Sequence, residues 1–235
     1  MSIIQKLKRP ADNKGFTLIE LLIAMAVASI MMTLIVGAYW TQTRISREQQ
    51  MMIDMQQNMR LAMNFLKWDL MMAGYGLDND DTFETADAGG LEFSYVADRD
   101  GIDNNNDGTT DEGDETETVF YELYDAHGDG DSDLRRELRD GPGVVPDPRG
   151  QAIALDIEEL EFFYTLADGT QTSTPANLED IRAVGISFIA RTAHETGSRG
   201  NQTYTSFSGT DWSYNDGFQR QIITGRVQCR NMIED

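Results

Sequence analysis

Residues 98–115 hold the densest chemistry in the chain: Asp98, Asp100, Asp103, Asn105, Asp107, Asp111, Glu112, Asp114 and Glu115 among glycines, asparagines and threonines. Starting at Asp103, the pattern is Asp-x-Asn-x-Asp-Gly-x-x-Asp, through Asn105, Asp107, Gly108 and Asp111. Alternate oxygens of such a loop point inward, and the glycine permits the sharp turn between them. The backbone carbonyl of Thr109 is the ligand expected next. Hard oxygen donors in this order are suited to Ca2+. Asp114 takes the twelfth position where a glutamate is usual, and Glu115 comes one residue late. Asp98 and Asp100 either complete this site or begin a second. Without a cation, so many neighbouring carboxylates repel one another, and the alternative reading is a solvated acidic loop.

The spacing resembles an EF-hand loop over its first nine positions. No helical pattern flanks it, so it is more like the calcium loops of dockerins and thrombospondin repeats, inserted between strands. A second acidic turn, Asp125 to Asp133, offers Asp129, Asp131 and Asp133, but the spacing beyond them fails the pattern.

A different kind of charge stands near the start. Phe16 to Trp40 is an apolar run whose only charged residue is Glu20. As a helix its 25 residues reach about 37 Å, enough to cross a bilayer core of about 30 Å. A carboxylate in such a helix is costly unless something pairs with it, and that cost points to another protein molecule. Lys6, Lys8, Arg9 and Lys14 precede the run with only Asp12 opposing them, which places that end in the cytoplasm and residues beyond about 40 outside it. An ordinary secretory signal has a shorter apolar core and a small-x-small cleavage site on its far side.

Lys14-Gly15-Phe16-Thr17-Leu18-Ile19-Glu20, with the apolar run behind it, closely resembles the signal of type IV prepilins. The resemblance implies that a membrane prepilin peptidase cuts between Gly15 and Phe16 and methylates the new Phe16 amine. It also implies that Glu20 pairs with the N-terminal amine of a neighbouring subunit. Residues 1–15 are then a leader, 16–40 a transmembrane and assembly helix, and 41–76 an amphipathic stalk helix. Residues 77–235 form a β-rich globular domain with the acidic insertion at about 98–115.

Two further stretches are similar to the PilW-type minor pilins. One is Gln56-Gln57-Asn58-Met59-Arg60-Leu61-Ala62 with Trp68-Asp69-Leu70 and Ala73-Gly74-Tyr75. The other is Asp216-Gly217-Phe218-Gln219-Arg220-Gln221 with Val227-Gln228-Cys229-Arg230-Asn231. Gln221 and Cys229 stand where arginine and an aliphatic residue are more usual in that family. The resemblance implies a minor pilin that helps prime type IV pilus assembly at or near the tip. Its implied partners are other minor pilins and the major pilin through the N-terminal helix, the peptidase, a tip adhesin and the inner membrane. The globular domain is expected in the periplasm before assembly and on the pilus or cell surface after it. Two alternatives stay open: a minor pseudopilin of type II secretion resembling GspJ, and a membrane-anchored calcium-binding or adhesive module that never assembles.

Past the apolar run the sequence stays rich in helix formers. Ile45, Met52, Met55, Met59, Ala62, Leu66 and Leu70 form one helical stripe, and Gly74 and Gly76 end it. Gly37 is a weak point, at about 1 kcal/mol against alanine. Downstream the period becomes two: Leu91, Phe93, Tyr95; Val119, Tyr121, Leu123; Leu160, Phe162, Tyr164, Leu166; Val184, Ile186, Phe188, Ala190; and Ile223, Gly225, Val227, Cys229. The fold class expected is α+β, one long N-terminal helix covering an antiparallel sheet. Residues 192–215 read as a long polar connection with little core.

Composition limits the function classes. The formal net charge is −21, and loss of a leader carrying +3 makes it −24, which argues against a nucleic-acid partner. The single cysteine, Cys229, excludes an intramolecular disulfide. His127 and His194 stand in no recognisable nucleophile–base context, and no phosphate loop or zinc spacing occurs, so no enzymatic activity is expected. Calcium is expected to protect residues 98–115 from limited proteolysis, with a chelator restoring cleavage. Identical fragment patterns in both conditions would refute the calcium assignment.

Overall fold

The computed structural model describes residues 15–77, 82–96, 108, 116–125, 128, 130–140, 151–196 and 200–232. Helix α1 spans Leu18–Met72, 55 residues without a break at Gly37. The chain divides into two compact units, Met1–Glu48 and Gln49–Asp235. In the first, the helix is exposed on nearly every side. In the second, Met55, Met59, Ala62, Met63, Leu66 and Leu70 are buried as one stripe. Ile45 lies in the first unit and is exposed, so the core-facing stripe starts later than its periodicity predicts.

Eleven strands follow among the described residues. Strands β1 (Phe83–Ala86), β2 (Gly90–Val96), β3 (Thr116–Tyr124), β4 (Asp133–Asp140) and β5 (Gln151–Ala154) form an antiparallel meander in that order. Strands β6 (Ile157–Leu166), β7 (Gln171–Thr172), β8 (Ile181–Arg191) and β11 (Arg220–Gln228) form a second sheet, in the order β11-β8-β6-β7. Strands β9 (Gly200–Thr205) and β10 (Asp211–Asp216) make a separate hairpin. The long helix with antiparallel sheets is the expected α+β arrangement.

The alternating apolar residues face one shared core. Leu91, Phe93, Val119 and Tyr121 from the first sheet and Phe162, Tyr164, Val184, Ile186 and Phe188 from the second are fully buried with the helical stripe. Phe93 bridges two rings, at 6.1 Å from Phe83 and 6.4 Å from Tyr121. The helix is also tied by charge. Asp69 Oδ2 accepts from Tyr121 Oη at 2.5 Å and Arg136 Nε at 2.6 Å, joining α1 to β3 and β4. Burial, then the Asp69 charge, pushes the Tyr121 hydroxyl upward from its ordinary pKa.

Strand β4, Asp-Leu-Arg-Arg-Glu-Leu-Arg-Asp, lies outside the sets read from apolar alternation because its alternation is partly one of charges. Leu134, Arg136 and Leu138 share one face, and the other carries Arg135, Glu137 and Arg139. Arg139 Nη1 reaches Glu92 Oε1 at 2.6 Å, and Arg135 pairs with Glu122 and, at 3.1 Å, with Glu137. Arg139 lies 3.8 Å over the Phe120 ring. Ion pairs and ring stacking take the place of aliphatic packing there.

The expected polar connection over residues 192–215 is instead largely the β9–β10 hairpin, docked by its tip. Glu161, buried on β6, accepts from Ser206 Oγ at 2.9 Å, Ser208 Oγ at 2.8 Å and Ser208 N at 3.1 Å. Ser187 Oγ accepts from Phe207 N at 2.7 Å, and the Phe207 ring lies against Gly185 and Phe163. Serines and one aromatic therefore build a contact that low apolar content conceals.

Gly185 makes this docking possible. A Cβ added there would stand 2.7 Å from Phe207 Cδ1. Gly185→Val is expected to destabilise the domain by about 1–3 kcal/mol through overpacking, read as a lower midpoint in denaturant unfolding of the solubilised protein. An unchanged midpoint would show that the Phe207 contact contributes nothing.

Candidate functional site

The first described residues, Gly15, Phe16 and Thr17, precede the helix in non-helical backbone, and Phe16 is 90% exposed. Thr17 is the N-cap: its carbonyl accepts the first intrahelical bond, from Leu21 N at 3.2 Å. Its Oγ1 accepts from Glu20 N at 3.3 Å, and Glu20 Oε2 accepts from Thr17 N at 2.9 Å and Thr17 Oγ1 at 2.8 Å. This reciprocal arrangement is a capping box. Its Thr-x-x-Glu spacing is legible in the sequence, although the lone carboxylate draws attention to Glu20 rather than Thr17.

The carboxylate therefore stands at the positive end of the helix, where the unsatisfied N–H groups favour negative charge. Beyond it the helix presents apolar side chains to the outside: Leu21, Leu22, Met25, Ile30, Leu34 and Trp40 are all exposed. The hydroxyls in the run turn back on their own backbone. Ser29 Oγ donates to Met25 O at 2.8 Å and Thr33 Oγ1 to Ser29 O at 2.9 Å. Such back-bonding satisfies polar groups inside the helix and suits it to an apolar solvent. Among the described residues, α1 is the one helix long and apolar enough to cross a membrane.

Gly15, Phe16, Thr17 and Glu20 are thus brought together at one helix end. Residues 10–36 match the family described as the prokaryotic N-terminal methylation motif. The chain carries that motif on a pilin-like fold. A pilin-like protein of Thermus thermophilus, PilA3, is 24% identical over 179 residues, covering 69% of this chain and 72% of its own length. The fold is shared with the type IV-like pilin TTHA1219 from Thermus thermophilus, at a TM-score of 0.53 and 18% identity, over 76% of this chain and 98% of the other.

The methylation motif accounts for the N-terminal end, and the structure gives the C-terminal signature a physical role. Asn231 Nδ2 lies within hydrogen-bond distance of the carbonyls of Met71, Met72 and Ala73, at 3.2, 3.4 and 3.1 Å. It caps the open end of α1. The Ala73-Gly74-Tyr75 turn and the Arg230-Asn231 ending, far apart in sequence, therefore meet. Gly74 has a φ of +76° and its N–H bonds Ser94 O at 2.9 Å, tying the turn after α1 to β2. Arg220 of the other C-terminal stretch is clamped by Glu158 at 2.5 and 2.9 Å and by Asp216 at 2.6 and 2.7 Å, over the Tyr214 ring.

Asp98, Asp100, Asp103, Asn105, Asp107, Thr109, Asp111 and Asp114 lie outside the described residues. Gly108, the described member of that loop, has a φ of +98°, a backbone that favours glycine. In the second acidic turn Asp129 also lies outside the described residues, and the other two carboxylates are engaged within the domain. Asp131 pairs with Arg191, and buried Asp133 accepts from Asp156 N at 3.1 Å. Among the described residues no group of three or more His, Cys, Asp or Glu is placed to hold a metal ion.

Cys229 is fully buried, and desolvation pushes its thiol up to about 12. A thiol so placed holds almost no thiolate at neutral pH. Thiol-labelling reagents at pH 8 are expected to leave Cys229 unmodified in the folded protein and to modify it promptly in denaturant. Prompt labelling of the native protein would contradict its place in the core.

Proposed function

We propose that this chain is a minor pilin, a structural subunit that helps to initiate type IV pilus assembly and takes a place at or near the tip. The observation that carries the reading is Glu20, an exposed carboxylate seated at the head of an exposed apolar helix, directly after the Gly15–Phe16 step. In this reading the prepilin peptidase removes residues 1–15 and methylates the Phe16 amine. The subunit waits in the inner membrane with its globular domain in the periplasm. Glu20 then pairs with a neighbour's amine, and the helix leaves lipid for a bundle of helices. Desolvating an ammonium and a carboxylate together costs far less than desolvating either alone. Small residues such as Ala24, Ala26, Ala28 and Ser29 let neighbouring helices approach closely.

The Asp103–Asp114 spacing supports a calcium-binding surface loop, which would stiffen one face of the domain for contact with other minor pilins or an adhesin. A minor pseudopilin of type II secretion shares the same plan. The Ala73-Gly74-Tyr75 and Arg230-Asn231 stretches favour the pilus.

Glu20→Ala is expected to leave the globular domain folded but to reduce incorporation into sheared surface fibres severely. Intact mass of the native membrane protein is expected to begin at Phe16 with one added methyl. Wild-type incorporation of the variant would overturn the assembly role, and an uncut chain in the presence of the peptidase would favour an anchored module.

A further inference from the structure

We propose that strand β9 of the hairpin is an interaction edge, and that its occupant is β9 of a second copy of this chain. The inference goes beyond the assembly reading and uses neither Glu20 nor the apolar helix. Strands β9 and β10 pair in regular register from Gly200↔Asp216 to Thr205↔Asp211, without a bulge. Ser206 N bonds Thr210 O at 2.8 Å, which fixes the phase of that ladder. In an antiparallel pair every second residue turns its N–H and C=O away from its partner, so Asn201, Thr203 and Thr205 direct theirs to the free side of β9. Among the described residues no further strand pairs with that side, and all three residues are exposed.

Proteins ordinarily blunt such edges, and the other edges here are blunted. Strands β1 and β5 are four residues long, and each has a register shift against its neighbour. Strand β7 has two residues. Strand β11 carries Arg226, and its Gly225 packs against Met63 and Lys67 of α1. The outer edge of β10 begins at Asp211 and ends at Asp216. Strand β9 has no proline, lysine or bulge, and residues 200–210 contain no charge. It is also held in place. Ser206 and Ser208 bond Glu161 beyond one end of the strand, and Gln202 Nε2 and Tyr204 Oη donate to Phe218 O and Arg220 O, both at 3.0 Å.

Charge selects the occupant. Two chains of formal net charge −21 repel each other, and they approach at least cost where neither presents a charge. Antiparallel pairing about a two-fold axis at Thr203 sets that residue against its own counterpart and Asn201 against Thr205. Every backbone bond then joins groups that already point outward. The hydroxyls and amides of these pairs share one exposed face and meet across the seam. Few residues take part, so the contact is weak in dilute solution and gains from two copies anchored in one membrane.

Cys229 is buried, so Thr203→Cys supplies the accessible thiol of the full-length protein. In phosphatidylcholine vesicles under mild oxidation, T203C is expected to form disulfide dimers about tenfold faster than S213C, which sits beside the other edge of the hairpin. Energy transfer between donor- and acceptor-labelled copies in the same vesicles is expected for wild type and T203S. Thr203→Lys sets like charges opposite each other and is expected to abolish it. Equal cross-linking at the two positions would overturn the proposal, and so would energy transfer that is absent in wild type or unchanged in T203K. The cross-linking comparison decides whether or not T203K folds. In native membranes, a T203C that links to a different protein and not to itself would give the edge to another occupant and overturn the second-copy assignment.

Discussion

A carboxylate at the head of an apolar membrane-length helix must be satisfied in every environment the helix visits, and this constraint organises the N-terminal end of the chain. Thr17 supplies two donors and the helix end supplies its unsatisfied N–H groups. Those contacts lie within a single helical turn. The remainder of the helix follows the same logic. Ser29, Thr33, Thr41 and Thr43 each donate to a carbonyl one turn back, so the run presents few unsatisfied polar atoms. The exposed run from Phe16 to Trp40 suits an apolar surrounding, and Glu20 is its one charged residue.

The second unit solves a different problem with the same element. From Met55 to Leu70 the helix buries a methionine-rich and leucine-rich stripe in a core shared with two sheets. Flexible methionines fit the irregular surface where those sheets meet. Apolar packing alone would not fix how the helix is turned about its axis. Asp69, held by Tyr121 and Arg136, supplies direction, because a misrotated helix would leave a largely buried arginine without its carboxylate. Asn231 then closes the helix end with the last described turn of the chain.

Much of this was legible because it is periodic. The all-apolar run, the heptad-like stripe and five sets of alternating residues each leave a repeating trace, and the α+β class follows from their order. What stayed hidden is held by polar groups. Strand β4 alternates arginine with leucine and glutamate, and its role is clear only when Glu92, Glu122 and Asp69 are seen beside it. The β9–β10 hairpin reads as a polar loop because its tip is anchored by a buried glutamate taking serine donors, with Phe207 the one apolar side chain there. Cross-strand polar partners come from distant sequence, so no local window contains both halves. The Thr17–Glu20 cap was different: its spacing was visible, but the charge of one partner obscured the other.

The chain has one cysteine, so its C-terminal region is closed without a covalent link. Three devices do this together. Arg220 is clamped by Glu158 and Asp216 and stacked on Tyr214, which ties β11 to β6 and to the base of the hairpin. Cys229 itself packs as a small core residue. Asn231 returns to the helix end. A disulfide constrains the unfolded chain, whereas these contacts act in the folded state and join the second sheet, the hairpin and the helix end. The turn after α1 thereby rests on Asn231, among the last described residues. The stretches that resemble minor pilins at the two ends are thus two halves of one contact.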